Sequence, residues 1–167
     1  MNQDHIGISG AGLVGSLLAG LLAKKGYRVT VFERRPDPRK QSYAGGRSIN
    51  LALSDRGWRA LQKAGLAEAV SKMIIPMRGR MMHSFDGELT LQPYGQEGQA
   101  INSVPRGELN RLLMESADQH EQVSFRFGCR CSSLDFEQGT MQVEDEKGEA
   151  STQKFDAVIG ADGAFER

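Results

Sequence analysis

Six residues near the start of the chain, Gly10-Ala11-Gly12-Leu13-Val14-Gly15, restrict its fold more than any other stretch. The G-x-G-x-x-G spacing alone is a weak signal, but its flanks are informative. His5 to Ser9 is a short apolar run that reads as a buried strand. Beyond it, Leu13, Val14, Leu17, Leu18, Leu21 and Leu22 recur at helical spacing on one broad face, and Gly26 supplies a stop. Arg28 to Glu33 is β-branched and aromatic, a second strand. Strand, glycine turn, helix and strand within ~30 residues make one βαβ unit. In that setting Gly10 permits the tight turn, Gly12 lets the backbone approach a pyrophosphate, and Gly15 lets helix and strand pack closely. The helix N-terminus adds N–H groups and the positive end of its dipole.

Glu33 ends the second strand, 18 residues after Gly15. An acidic side chain there accepts hydrogen bonds from adenosine ribose hydroxyls. A carboxylate repels a 2′-phosphate, so FAD or NAD is favoured over NADP, although Arg34 and Arg35 offer a possible phosphate contact. The plainer reading of Glu33 is an exposed strand-end charge.

Downstream, Arg34 to Gly46 reads as loop, and Ser48 to Leu53 is ambiguous between states. Ser54 caps a helix carrying Trp58, Leu61 and Ala64 and closed by Gly65; a short helix from Ala67 to about Met73 follows. Arg78 to Phe85 and Glu88 to Gln92 flank Asp86-Gly87, the signal of a two-residue hairpin turn. Ala100 to Val104 is a candidate strand, and Pro105 opens a helix with Leu109, Leu112, Leu113 and Ala117. Val123 to Phe127, Arg130 to Phe136, Thr140 to Glu144 and Phe155 to Ile159 read as strands, the last of them buried and ending in Gly160-Ala161-Asp162-Gly163. Only four residues follow Gly163, where a covering helix is expected, so the sequence reads as the front part of a longer protein.

Composition narrows the function classes. Glycine is abundant, 20 of 167 residues, as expected where backbone turns or approaches a ligand. Lys plus Arg and Asp plus Glu both total 21, which gives no electrostatic footprint for nucleic acid or an anionic membrane. No apolar run approaches the ~20 residues of a membrane span. The polar start lacks a signal peptide's basic region, and two cysteines suit a reducing compartment, so the cytoplasm is expected. Cys129-x-Cys131 has no second pair or suitably spaced histidine, which leaves structural thiols and no metal site. The seven methionines, Met81 and Met82 among them, read as core filler. No G-x-S-x-G or defensible Ser, His and Asp grouping is present.

Other polar residues stay open on sequence alone. Asp162, on a glycine turn, is placed to accept from a ribose or ribityl hydroxyl, or is simply part of a turn. Arg47, Arg80 and Arg106 suit carboxylate or phosphate recognition, yet each taken singly fits a surface position better. Tyr94 reads more readily as core packing than as a pocket hydroxyl.

Taken together, Gly10 to Gly15, Glu33 and Gly160 to Gly163 resemble the FAD-dependent aromatic hydroxylases, a family of flavoprotein monooxygenases. The runs Gly46 to Ser54 and Ile75 to Ser84, with Pro93-Tyr94-Gly95, Ser103 to Arg106 and Leu109-Asn110, resemble the members that hydroxylate L-kynurenine. The resemblance covers all 167 residues but only about the first third to half of such an enzyme. It departs after Gly163, where the family runs Ala-Phe-Ser and this chain has Ala164-Phe165-Glu166-Arg167.

That resemblance implies an α/β, Rossmann-like FAD-binding domain of the glutathione-reductase type, incomplete at its C-terminus. It implies residues 1–75 and 99–167 as the two parts of that domain, and residues 76–98 as a β-hairpin insertion that begins a substrate-binding sheet. It implies bound FAD, NADPH as co-substrate, and transfer of oxygen from O2 to L-kynurenine, ortho to its amino group, giving 3-hydroxykynurenine. Gly10, Gly12, Gly15, Glu33, Arg106 and Asp162 match cofactor-binding positions, and the resemblance implies Arg47 and Asn50 near the flavin. Arg80 and Tyr94 match the pair that holds the substrate carboxylate. No residue is assigned as acid or base. The chain alone is expected to be inactive. The alternatives are a hydroxylase of another aromatic acid, a non-catalytic nucleotide-binding fragment that self-associates, and, more weakly, a NAD-dependent dehydrogenase.

Overall fold

Side-chain alternation decides what the first strand does. In β1 (His5–Ser9), Ile6 and Ile8 are buried in one apolar cluster, while Gly7 faces the opposite side of the sheet. A Cβ on Gly7 would lie 2.6 Å from both Met141 Sδ and Phe155 Cδ2. Both faces of the strand are therefore covered, as a parallel strand requires.

The computed structural model describes residues 4–40, 49–97 and 99–163. The chain divides into two units, residues 1–46 with 110–167, and residues 47–109. In the first, β1 is followed by α1 (Leu13–Ala23) and β2 (Arg28–Glu33). Later in the chain come β8 (Val123–Phe127), β9 (Arg130–Asp135), β10 (Thr140–Glu144), β11 (Ala150–Lys154) and β12 (Ala157–Gly160). A four-stranded parallel sheet has the order β12-β1-β2-β8, and β11-β10-β9 form an antiparallel meander. One face of the parallel sheet joins Val29, Val31 and Val123 to Ala19 and Ala23 of α1 and to Met114 and Ala117 of α4 (Arg106–Asp118). On the other side Phe32, Met141, Val143 and Phe155 form a second cluster, against which Cys129 and Cys131 pack. Both thiols are free, and burial pushes both upward in pKa, as structural cysteines behave.

Several expectations change here. The buried residues of α1 are Gly15, Ser16, Ala19 and Ala23, while the leucines are half-buried and Val14 is exposed. Small residues win this face because α4 comes close: a Cβ on Gly20 would be 3.7 Å from the Cα of Ala117. β12 begins after Phe155 and is a half-exposed sheet edge rather than a buried strand. β11 was not expected from sequence, because all five of its residues are exposed and none is apolar beyond Ala150.

The loop after β2 is pinned by charge. Arg39 donates from Nε to Asp37 Oδ1 at 2.9 Å, from NH2 to Asp37 Oδ2 at 2.9 Å, and from NH1 to Asp118 Oδ2 at 2.8 Å. Its guanidinium also lies over Phe125 and Phe127, 5.6 and 5.5 Å from the ring centroids. The Arg39 hydrogen bonds hold the Asp37 carboxyl below its ordinary value of 3.8. The stability from this pair is therefore present above pH 3.8 and is lost as pH falls through the depressed folded value. Asp37→Asn is expected to cost ~1.5 kcal/mol at pH 7. Melting curves at descending pH should show its gap from the parent closing in acid, and a constant gap would reject this account.

The second unit contains β3 (Asn50–Leu53), α2 (Asp55–Ala64), α3 (Ala67–Ser71), β4 (Ile75–Met77), β5 (Gly79–His83), β6 (Leu89–Pro93) and β7 (Ile101–Pro105). β3-β7-β4 form one antiparallel sheet, and β5-β6 form a separate hairpin. Ser54 caps α2 by accepting from Gly57 N, and Gly65 closes it at φ +76°. The short stretch around Leu51, ambiguous in sequence, becomes a strand through its pairing with β7. The hairpin turn differs from the expected two-residue form. Ser84 N donates to Glu88 O and Gly87 N to Ser84 O, so the loop holds Phe85, Asp86 and Gly87. The two-residue type I′ turn needs positive φ at both central residues, and among the described residues only glycines have it. Gly87, at φ +90°, takes the left-handed position of a three-residue loop instead. Met81 and Met82 are exposed on this hairpin, against the core-filler expectation, whereas Met114 and Met141 are buried. Among the described residues no helix is long and apolar enough to cross a membrane.

Candidate functional site

The parallel pairing of β1 and β12 sets Ser9 opposite Gly160, so the two glycine turns that follow these strands meet. Ala161 N donates to Ser9 O at 2.7 Å. Gly10 adopts φ +97°, and a Cβ there would sit 2.7 Å from Ala161 O. A Cβ on Gly15 would collide with the Gly10 carbonyl oxygen and lie 3.5 Å from Ala161 Cβ. Gly12 is different: its φ is −73°, and among the described residues a Cβ there would meet nothing within 4 Å. Packing therefore requires Gly10 and Gly15, while Gly12 borders open space that a ligand can enter.

Glu33 faces this turn. It is 7% exposed, and its carboxylate is held from both ends. Oε2 accepts from Ala11 N at 3.0 Å, and Oε1 accepts from Arg35 N at 3.0 Å and Arg35 Nε at 3.1 Å. The exposed strand-end alternative is thereby set aside. Arg35 Nε is engaged by this carboxylate instead of standing ready for a 2′-phosphate. A carboxylate offers about four acceptor sites, so about one stays open beyond these three donors.

The Ala11 carbonyl is also gripped. Ser16 Oγ donates to it at 3.1 Å, and Asn110 Nδ2, arriving on α4, donates at 3.2 Å. Among the described residues Asn110 Oδ1 is buried without a hydrogen-bond partner, an arrangement that costs ~1–3 kcal/mol. Gly12 is the N-cap of α1, which has no side-chain cap and no acidic residue in its first turn. Its leading N–H groups and positive dipole end thus meet no capping side chain at Gly12 and no carboxylate from its own first turn.

Across the junction, Ser9 Oγ donates to Asp162 Oδ2 at 2.8 Å. The Cys131 thiol is raised chiefly by burial and further by the Asp162 charge, with Ser9 opposing. Gly10, Gly12, Gly15, Glu33 and Asp162 are brought together in this unit. Ser9, Ser16 and Asn110 join them and were not singled out as site residues. Polar side chains at a strand end or on a helix were the signal for Ser9 and Ser16, and for Asn110 also its place in the Leu109-Asn110 run of the resemblance. A cleft of about 450 Å³ lies elsewhere, at the β8 edge around Pro36, Phe125 and Cys129, and none of the sequence-chosen site residues lines it.

In the second unit, Asn50 pairs with Pro105, and Arg106 N donates to Ile49 O at 3.0 Å, so Asn50 and Arg106 stand at one end of the β3-β7 pair. Arg80 pairs with Gln92, and Tyr94 N donates to Arg78 O at 3.0 Å. Two-residue alternation puts Arg80 and Tyr94 on one face of the hairpin as diagonal neighbours. Arg80 Nε donates to Gln92 Oε1 at 2.7 Å, and Tyr94 is 43% exposed, not a core residue. Arg47 lies outside the described residues. Among the described residues no group of His, Cys, Asp and Glu is arranged to hold a metal ion.

Comparison with known proteins agrees with this geometry. A family model described as FAD binding domain matches residues 4–165. Kynurenine 3-monooxygenase of Myxococcus xanthus is 47% identical over 164 residues, covering 97% of this chain and 35% of that protein. The enzyme of the same name from Salinispora arenicola is 48% identical over 167 residues, covering 98% and 37%. The chain thus spans about a third of the length of these relatives. Among solved structures, p-nitrophenol 4-monooxygenase PnpA from Pseudomonas putida superposes with TM-score 0.78 at 19% identity, over 98% of this chain and 42% of that one. The flavin-dependent monooxygenase PieE, in complex with FAD and substrate, gives 0.77 at 22% identity, over 98% and 31%.

Proposed function

Since the chain belongs to the FAD-binding domain family, we propose that it is the dinucleotide-holding front part of a monooxygenase that converts L-kynurenine to 3-hydroxykynurenine. The observation that carries this reading is the paired turn: an uncapped helix start bordering open space at Gly12, with the Glu33 carboxylate beside it. These residues fit a dinucleotide. The α1 N-terminus would receive the diphosphate, Glu33 the adenosine ribose, and Asp162 a hydroxyl of the ribityl side; Asn50, Arg106 and Arg47 match further cofactor-binding positions of the family. When bound, FAD supplies the redox chemistry by which NADPH and O2 yield one oxygen atom for the aromatic ring and one for water. The family resemblance to kynurenine 3-monooxygenases at 41–48% identity favours kynurenine over another aromatic acid.

The chain's own contribution to the substrate is positional. Arg80 and Tyr94 share one face of the hairpin. A guanidinium gives a carboxylate two parallel donors and the phenol adds a third. For this, Arg80 must release Gln92, an exposed contact that is easily exchanged. In a protein with this chain at the relatives' full length, Arg80→Ala is expected to raise KM for kynurenine ~30-fold, about 2 kcal/mol, with FAD content unchanged. Steady-state kinetics and flavin absorbance check this. Lost flavin with unchanged kynurenine affinity would move Arg80 to the cofactor. Two free cysteines suit a reducing compartment, and we assign the protein to the cytoplasm.

A second reading, a self-associating nucleotide-binding piece without catalysis, is favoured by Phe85, Leu89 and Leu91, all exposed on the hairpin. Equilibrium sedimentation with a flavin spectrum separates the two. A monomer holding stoichiometric FAD rejects the second reading.

A further inference from the structure

We propose that Asn110 is a positioning residue for the diphosphate turn, acting through the Ala11–Gly12 peptide. The inference rests on the dinucleotide-binding reading above and adds a residue from a different crossover, 99 positions away in sequence. Both peptide planes that flank Ala11 are pinned. Glu33 Oε2 takes the Ala11 N–H, which fixes the Gly10–Ala11 plane. Ser16 Oγ and Asn110 Nδ2 converge on the Ala11 carbonyl, which fixes the Ala11–Gly12 plane. In a trans peptide the N–H points opposite to the carbonyl. Drawing the Ala11 oxygen toward Ser16 and Asn110 therefore turns the Gly12 N–H away from them. Among the described residues nothing lies within 4 Å of a Cβ at Gly12, so on their side access to that part of the turn is open.

Asn110 is held in this position at its own expense. Its Nδ2 reaches Ala11 while its Oδ1 is buried without a partner among the described residues. A buried carboxamide that satisfies only its donor end serves the group it donates to better than it serves its own surroundings. Ser16 alone would leave the carbonyl held from within α1, free to move with that helix. Asn110 ties the same oxygen to α4, so the turn is fixed against two helices. Such preorganised donors bind an anion without a reorganisation cost.

The test uses the 167-residue chain labelled with ¹⁵N, with ADP and adenosine as probes. Asn110→Asp keeps the side-chain size and removes the N–H donor at pH 7. Ser16→Ala removes the other donor to the same carbonyl and serves if the first variant does not fold. The Gly12 amide resonance is expected to move in either variant. The Kd for ADP should rise about tenfold, the equivalent of one net hydrogen bond, with adenosine affinity unchanged. An unmoved Gly12 resonance, parent-like ADP affinity, or equal losses for ADP and adenosine would each overturn the proposal. A parent chain that binds no ADP would count against the dinucleotide reading, and the Gly12 resonance would still decide the role of Asn110.

Discussion

Gly15→Ala is expected to destabilise the chain by ~3 kcal/mol or more, and Gly15→Val to prevent the first crossover from forming. The added Cβ collides with the Gly10 carbonyl oxygen, a backbone atom with nowhere to retreat. Behind it, Gly10 is already in close approach to Ala161, at a φ of +97° that other residues rarely adopt. The strain therefore passes directly into the β1–β12 junction. For a chain of this size ~3 kcal/mol corresponds to about 6–12 °C in Tm. Gly12→Ala provides the contrast. Its φ of −73° suits alanine, and its Cβ enters open space. The weaker N-cap preference of alanine is offset by lower unfolded-state entropy, so Tm should stay near the parent value. FAD affinity should nevertheless fall about tenfold or more, because the methyl group occupies the space a diphosphate requires. Circular dichroism melts and flavin fluorescence titrations read both quantities. A stable Gly15→Ala, or a Gly12→Ala with parent-like FAD affinity, would contradict the division of labour between the two glycines.

The packing role of Gly10 and Gly15 was legible in the sequence because it depends on local spacing. The glycine pattern, the strand before it and Glu33 after it all lie within one crossover, where periodicity and turn chemistry fix the geometry. What the sequence concealed depends on distant partners. The leucines of α1 suggested a broad apolar face, but Ala117 of α4 approaches so closely that Gly15, Ser16 and Ala19 form the buried side. β11 carries no alternating apolar signal, since it is an exposed edge strand held by backbone pairing to β10. Asp86-Gly87 announced a hairpin correctly and its loop length wrongly, because the dipeptide serves two- and three-residue loops alike. Asn110 sat in a run that resembled the family, yet its contact with Ala11 joins residues 99 apart and could not be read from either segment.

Glu33→Gln tests the remaining element of the site, and its effect on binding should exceed its effect on folding. The carboxylate accepts three hydrogen bonds at once, from Ala11 N, Arg35 N and Arg35 Nε. Glutamine has one oxygen to offer. If that oxygen turns toward Ala11, its NH2 group confronts the Arg35 donors; if it turns toward Arg35, the buried Ala11 N–H loses its acceptor. Either choice costs about 2 kcal/mol, or about 4–8 °C in Tm. Ligand binding loses more. A ribose hydroxyl donates to the one acceptor site left open, through a charge-assisted hydrogen bond of ~1.5–3 kcal/mol, and the substitution removes the charge as well as a lone pair. FAD affinity is expected to fall ~100-fold, a loss of about 3 kcal/mol. ADP and 2′-deoxy-ADP distinguish ribose recognition from general loosening of the turn. The parent should prefer ADP, and Glu33→Gln should bind the two alike. If the variant keeps the parent's preference while both affinities drop, Glu33 acts only by holding Ala11 in place, and the ribose is recognised elsewhere.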